Sequence, residues 1–344
     1  MLVVRPVAQH DLDDVFQLAL KAGQGMTSLP PDKSALQQRI ALSEASFKRQ
    51  QKHMDDFFLL VMEDQQRNKV VGTAGVYAMT GARQAFYAYR IMAVTHHSHS
   101  LNKQVHSPVL HLTNDYSHCS EVGALFLDPA YRGNGHWLAR SRYLLMGLFR
   151  ERFADAVIAE LRGWTDNSGR SPFWDAIGRH FFQMSFDDAD KLCGMGSNQF
   201  ITELMPKYPI YTSLLPDDAQ QVLGKPADAG QRAQQLLERE GFHYDNVIDI
   251  FDAGPLMRAS IAQLKSVSAI RYCQTKNIDQ DPPDQPSQQR DAIIANPDWH
   301  NFRVITAPAP DKNNGVVLSS AQLRALHLSL NDEHRLAIID GGDS

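Results

Sequence analysis

The sequence predicts an α/β (α+β) fold on a mixed sheet, and three observations predict it. Strand-patterned and helix-patterned segments alternate through the first half of the chain. The stretch EVGALFLDP (121–129) is apolar on both faces, as a buried central strand is, and a helical segment (132–153) and a second apolar strand, DAVIAELRG (155–163), follow it directly. With 344 residues, 43% of them hydrophobic and 21% charged, the chain is long enough to bury a large core, as two domains or one large domain with additions.

The elements follow in order. LVVRPV (2–7) reads as a short strand, and Asp11 is placed to cap the helix after it. Leu12, Val15, Phe16 and Ala19 share one apolar face of that helix, which Gly23 and Gly25 end. Residues 33–50 form a second, polar helix. FFLLVMED (57–64) and KVVGTAGVYAM (69–79) make a hairpin, and YAYRIMAV (87–94) another strand. Asp128-Pro129 stops the central strand; in the following helix Leu138, Leu145, Leu148 and Phe149 share a face. SPFWDAIGRHFF (171–182) opens with a serine cap and a proline at the first helical position.

The second half continues with a helical LPDDAQQVLG (215–224) and a helix AGQRAQQLLEREGF (229–242) closed by Gly241. DNVIDIFDAGP (245–255) reads as a strand running into a turn. Residues 275–299, centred on the Pro/Gln/Asp-rich DQDPPDQPSQQR, read as a mobile loop. NFRVITA (301–307) and HRLAIID (334–340) are strands around a helix at 319–328.

Composition excludes several functions. A formal net charge of −5 gives no basic footprint for nucleic acid. Three dispersed cysteines, Cys119, Cys193 and Cys273, with no CxxC, argue against a zinc knuckle and for a reducing compartment. The first residues lack the basic start and apolar run of a signal peptide, and no stretch reaches the ~18–20 apolar residues of a membrane span. The expectation is a soluble cytoplasmic protein. His96, His97 and His99 have no acidic or cysteine partner pattern beside them, so no metal site is assigned.

Chemistry gathers at the junction of the central strand and its helix. Arg132, Gly133, Asn134 and Gly135 occupy it. Glycines there turn the chain sharply, a helix N-terminus carries partial positive charge, and together these hold a pyrophosphate, with Arg132 adding a charged hydrogen bond.

The order of elements around that turn resembles the GNAT superfamily of acyl-CoA-dependent N-acyltransferases. The resemblance implies that strands 121–127 and 155–161 splay, that the pantetheine arm lies in the gap, and that the pyrophosphate sits on the 132–135 turn. The chain also resembles, over nearly its whole length, the bacterial arginine N-succinyltransferase family. The residues that carry this are TSLP (27–30), ND (114–115), SE (120–121), LFLDP (125–129), GRSPFW (169–174), FITELMPK (200–207), PIY (209–211), LEREGF (237–242) and DIFDAGP (249–255). The resemblance implies transfer of succinyl from succinyl-CoA to the α-amine of L-arginine, directly and with no acyl-enzyme, in arginine catabolism. No metal is required, because the thioester is already activated.

The resemblance implies a site residue by residue. Leu125 matches a leucine that contacts succinyl-CoA. The family's proton donor is a His in a His-Pro pair; this sequence has Lys225-Pro226 instead, with Lys225 as the substitute source of positive charge. Its R-G-N-G turn is also shorter than the family's glycine-rich loop. Glu121 is the candidate to take the amine proton. Glu203, Asp249 and Asp252 are candidates for the guanidinium, and Arg90 or Arg162 for the succinyl carboxylate. Residues 1–185 are expected to form the acyl-CoA domain. Residues 186–344 would complete the sheet and acceptor pocket and end in a small β-rich subdomain. Two rivals stand beside this reading: an acyltransferase with a shifted acceptor such as ornithine, and a regulatory subunit without turnover. A homo- or hetero-oligomer is expected, with neither nucleic acid nor membrane as partner.

Overall fold

The computed structural model describes residues 1–23, 26–82, 85–194, 199–275, 291–309, 315–330 and 332–341. In chain order the elements are β1 (Leu2–Pro6), α1 (Leu12–Ala22), α2 (Lys33–Lys48), β2 (Phe57–Asp64), β3 (Lys69–Tyr77), β4 (Ala88–Ser98), β5 (Lys103–Thr113), β6 (Ser120–Leu127) and α3 (Gly135–Leu148). Next come β7 (Ala156–Glu160), α4 (Pro172–Ala176), α5 (Gly178–Phe182), α6 (Phe186–Gly194), α7 (Gln199–Leu204), β8 (Ile210–Tyr211), α8 (Asp217–Gln221) and α9 (Gln231–Glu240). The chain ends with β9 (His243–Ile248), β10 (Pro255–Ser260), α10 (Lys265–Ser268), β11 (Arg271–Gln274), β12 (Asp291–Asn296), β13 (Arg303–Pro308), α11 (Ser320–Ala325) and β14 (Arg335–Asp340). Among the described residues no helix is long and apolar enough to cross a membrane.

The chain folds into two compact units, one of residues 1–78, 122–155 and 261–344, the other of 79–121 and 156–260. The sequence expectation divided it at 185. The first unit takes in the C-terminal segment because its strands return to the start of the chain: β13 pairs antiparallel with β1, Val4 opposite Val304.

In the first unit the strand order is β11-β14-β12-β13-β1-β2-β3-β6. Helices α1 and α2 cover one face, burying Val15, Leu18, Leu36 and Ile40 against Phe57, Leu59 and Val61. The polar sequence of α2 is compatible with this because Ser43 and Ser46 accept hydrogen bonds from the Leu59 and Phe57 amides (2.9 and 3.1 Å). Asp11 precedes α1 but does not cap it. Its carboxylate holds the Arg5 guanidinium (2.7 and 2.9 Å) and the Ala8 amide (2.8 Å) instead. Residues 276–290 of the expected loop lie outside the described residues, but the expectation fails at its end. Asp291–Asn296 is a strand, buried from Ala292 onward and paired on both sides, with β13 and β14. An interior strand needs apolar residues on both faces, which DAIIAN supplies.

In the second unit the order is β7-β10-β9-β4-β5-β8, with the first two residues of β6 parallel to β7, Ser120 opposite Val157 and Glu121 opposite Ile158. The β4/β5 hairpin pairs over eleven residue positions from Ala88–Thr113 to Ser98–Lys103. Its outer half is largely exposed and polar, which is why β5 did not read as a strand. The helix expected over 171–182 breaks at Ile177 (φ −127°, ψ −71°) into α4 and α5.

Candidate functional site

The first unit carries the predicted anion-binding turn. Leu125 lies half-buried on β6. The residue before it, Ala124, takes a left-handed conformation (φ 48°) in mid-strand, which is costly for a side chain with a Cβ. Two hydrogen bonds fix it: the Ala124 amide donates to Ser28 Oγ (3.0 Å), and its carbonyl accepts from Thr73 Oγ1 (2.8 Å). Ser28 belongs to the TSLP string, and its own carbonyl accepts from Arg39.

After β6, Asp128 caps a short turn by accepting from the Ala130 amide (3.1 Å) and binds Lys21 Nζ (2.5 Å), which holds its carboxyl below the usual range. Tyr131 donates to Asp64 (2.8 Å). Gly133 has φ 98°, and nothing lies within 4 Å of where its Cβ would stand, so that peptide faces open space. The Asn134 side chain does not cap α3; it bridges the Tyr131 carbonyl (3.0 Å) and Trp137 Nε1 (3.2 Å). The first turn of α3 contains no acidic residue, and Arg132 beside it is exposed. Amides at a helix N-terminus, a positive-φ glycine and an exposed arginine suit an anion such as a diphosphate.

The second unit gathers carboxylates. β7 ends at Glu160, two residues beyond Ile158 and therefore on the same sheet face as Glu121. The Glu160 side chain reaches solvent, yet protein crowds its carboxyl. Desolvation, with Glu121 and Asp252 nearby, raises its proton affinity well above the usual range, and Arg162 opposes this. Among the described residues Glu160 has no hydrogen bond or ion pair. Asp249 is raised in the same way, by burial and then by Asp252 and Glu160. Asp252 is raised by burial and lowered by Arg162.

Two of the carboxylates expected to bind substrate are engaged in building the DIFDAGP turn. Asp249 accepts from the amides of Phe251 (2.7 Å) and Asp252 (2.9 Å). Asp252 accepts from the Gly254 amide (2.9 Å) and lies 3.3 Å from Arg162 Nε. Glu203 is exposed on α7, and it is not among the charges acting on Glu160 or Asp249.

Other family strings pack around this turn. In GRSPFW, Ser171 caps α4 by accepting from the Trp174 amide (3.2 Å), and the Trp174 ring stacks on Phe251 (5.6 Å) and Phe182 (5.4 Å). The Leu223–Asp228 segment joins from another side. Gly224 donates to the Ala253 carbonyl (2.9 Å), Ala227 donates to the Arg162 carbonyl (2.8 Å), and Pro226 bridges Gly163. Lys225 is exposed, its ammonium 5.3 Å from the Trp164 ring centroid. It is not among the charges acting on Glu160.

The two arginines expected to bind the succinyl carboxylate already have acidic partners. Arg90 pairs with Asp115 (3.2 Å) and Asp245 (3.5 Å), and Arg162 with Asp252. Cys119 is buried, and burial pushes its thiol up, as packing and not nucleophilic duty requires. Cys193 lies where side chains are not described. Sequence reasoning missed Glu160, although a charge closing an apolar strand, two residues before an arginine, is a legible signal. It also missed the Ser28–Ala124 contact, which joins positions far apart in the chain and leaves no local signal.

Residues 2–266 match the family model described as arginine N-succinyltransferase beta subunit. The arginine N-succinyltransferases of Escherichia coli O139:H28 and Shigella flexneri are each 38% identical over 338 residues, 98% of this chain and 97% of theirs. Among solved structures, the arginine/ornithine succinyltransferase subunit AI from Pseudomonas aeruginosa is 32% identical with a TM-score of 0.88, covering 100% of this chain and 99% of that one. The chain belongs to the arginine N-succinyltransferase family.

Proposed function

We propose that this protein transfers the succinyl group of succinyl-CoA to the α-amine of L-arginine, in the cytoplasm and without a metal. Family membership along nearly the whole chain is the observation that carries this reading. The diphosphate of the cofactor rests on Arg132, Gly133, Asn134 and Gly135, and its acyl arm runs along β6 past Leu125. A polar contact to the thioester carbonyl comes from a backbone amide of β6 near the left-handed Ala124.

Arginine brings two cationic groups, and the carboxylates of the second unit favour cations. Glu160, accessible and unpartnered, takes the amine proton with Glu121 beside it. The raised proton affinity of Glu160 makes it a stronger base than an ordinary carboxylate. The free amine attacks the thioester carbonyl, the C–N bond forms, and the C–S bond breaks. Lys225 supplies the proton or field that the departing thiolate needs. Glu203 is proposed to meet the guanidinium, with Asp249 and Asp252 adding to the negative field.

Fragmentation mass spectrometry of arginine incubated with the protein and succinyl-CoA tests this. Succinyl on the α-nitrogen is expected; succinyl elsewhere, or unmodified arginine, contradicts it. Ornithine as acceptor is a second reading, favoured by the name of the Pseudomonas aeruginosa neighbour, and the same experiment with ornithine decides it.

A further inference from the structure

The charge balance of the second unit is uneven at one point. Arg90 and Arg162 have carboxylate partners. Arg258, on β10, has none among the described residues. It is half-buried, and its Nε is buried with no hydrogen-bond partner. Its guanidinium lies 5.8 Å from the Tyr116 ring centroid and hydrogen-bonds the Cys119 thiol, a weak and neutral acceptor. The Tyr116 hydroxyl is also buried and unpartnered, on a residue only 3% exposed. Two polar groups, Arg258 Nε and the Tyr116 hydroxyl, thus go unsatisfied at an arginine with no ion-pair partner among the described residues, an arrangement that folded proteins complete with a water, an ion or a ligand.

The placement of Arg258 gives that ligand a chemistry. Arg258 is opposite Ile158 on β7, and Ile158 is opposite Glu121 on β6. The side chains of Glu121, Ile158 and Arg258 therefore stand in one row on one face of the sheet. Along that row a carboxylate that favours an amine and a guanidinium that favours an anion are separated by one apolar residue. A guanidinium fork matches a carboxylate in two-point geometry, and a tyrosine hydroxyl adds a neutral donor.

We infer that Arg258, packed against Tyr116, is the anchor for a substrate carboxylate. The inference rests on the acyl transfer proposed above and adds to it the residue that selects for an acidic group. Two sources carry this chemistry, the succinyl end of the thioester and the α-carboxylate of the amino acid acceptor. Acetyl-CoA lacks the first, and agmatine lacks the second.

Calorimetric titration of the full chain with succinyl-CoA, acetyl-CoA, L-arginine and agmatine tests the inference. The unmodified protein should bind at least one carboxylate-bearing ligand tighter than its analogue. Arg258→Gln should weaken that ligand by about tenfold or more and shift the analogue by no more than about twofold, while Arg258→Lys keeps most of the preference. Loss confined to succinyl-CoA assigns the acyl carboxylate; loss confined to L-arginine assigns the acceptor's. Equal weakening of all four ligands, no weakening of any, or an unmodified protein indifferent to both carboxylates overturns the inference. Activity of the unmodified protein with succinyl-CoA and arginine is read separately, so failure of the anchor and failure of the proposed reaction give different results.

Discussion

A Cβ placed on Gly163 would stand 2.1 Å from the carbonyl oxygen of Asp252. The chain just past β7 and the DIFDAGP turn therefore lie backbone against backbone, and the reciprocal contact, a Cβ on Gly254 at 2.0 Å from the Leu161 carbonyl, locks the same pair of segments. Arg162 lies inside this contact and meets Asp252 because of it. Gly163→Ala must push the turn away, so it is expected to cost about 2–3 kcal/mol by denaturant titration and to lower kcat along with the stability. A variant as stable and active as the parent would show that the segments are not in contact.

The Ser28–Ala124 hydrogen bond should hold β6 in its kinked form. Ser28→Ala removes the acceptor for an amide at a left-handed residue, at a cost of about 1 kcal/mol. The kink relaxes toward regular strand geometry, and the KM for succinyl-CoA rises while that for arginine stays. An unchanged KM for both substrates would detach the kink from cofactor binding.

Glu160 couples stability to pH in a definite direction. Its native proton affinity lies above that of the unfolded chain, through burial first and then Glu121 and Asp252. Between the two titrations the native state keeps a proton that the unfolded chain has lost, so stability falls as pH rises through that window. Glu160→Gln should therefore melt higher than the parent at about pH 7.5, and the gain should vanish near pH 4, where both states hold the proton. Its kcat should fall by about 100-fold or more if Glu160 accepts the amine proton. Equal melting at both pH values, with kcat preserved, would return the residue to the solvated surface.

Lys225→Ala tests the proposal that this lysine supplies the proton or field for the departing thiolate. The lysine ammonium lies 5.3 Å from the Trp164 ring centroid. Its removal should lower kcat about tenfold or more and change the alkaline limb of the pH–rate profile, with KM values little altered. A superimposable profile would leave leaving-group protonation to water or another residue.

Much of this architecture was legible because period and punctuation agree. The strand at 120–127 and its Asp128-Pro129 stop stand where hydrophobic patterning put them, and the helix expected over 132–153 is found at Gly135–Leu148. Legibility failed where tertiary context decided the outcome. Asp11 reads as a cap, but Arg5 takes its carboxylate. β12 hides behind a Pro/Gln/Asp-rich stretch, and its pairing partners lie on either side in space, not in sequence. In the site, Asp249 and Asp252 stand out as acids in an unusual string, yet both accept amides of their own turn. Arg258 gives no local signal in the sequence; that it has no ion-pair partner among the described residues is visible only once its surroundings are known.

Thiol release by the purified protein tests the central claim most directly. With succinyl-CoA and L-arginine together, free CoA should accumulate steadily over many turnovers, and omitting either substrate should stop it. Release that ignores arginine, or tight binding of both substrates with no release, would contradict an arginine succinyltransferase and leave a protein that only binds.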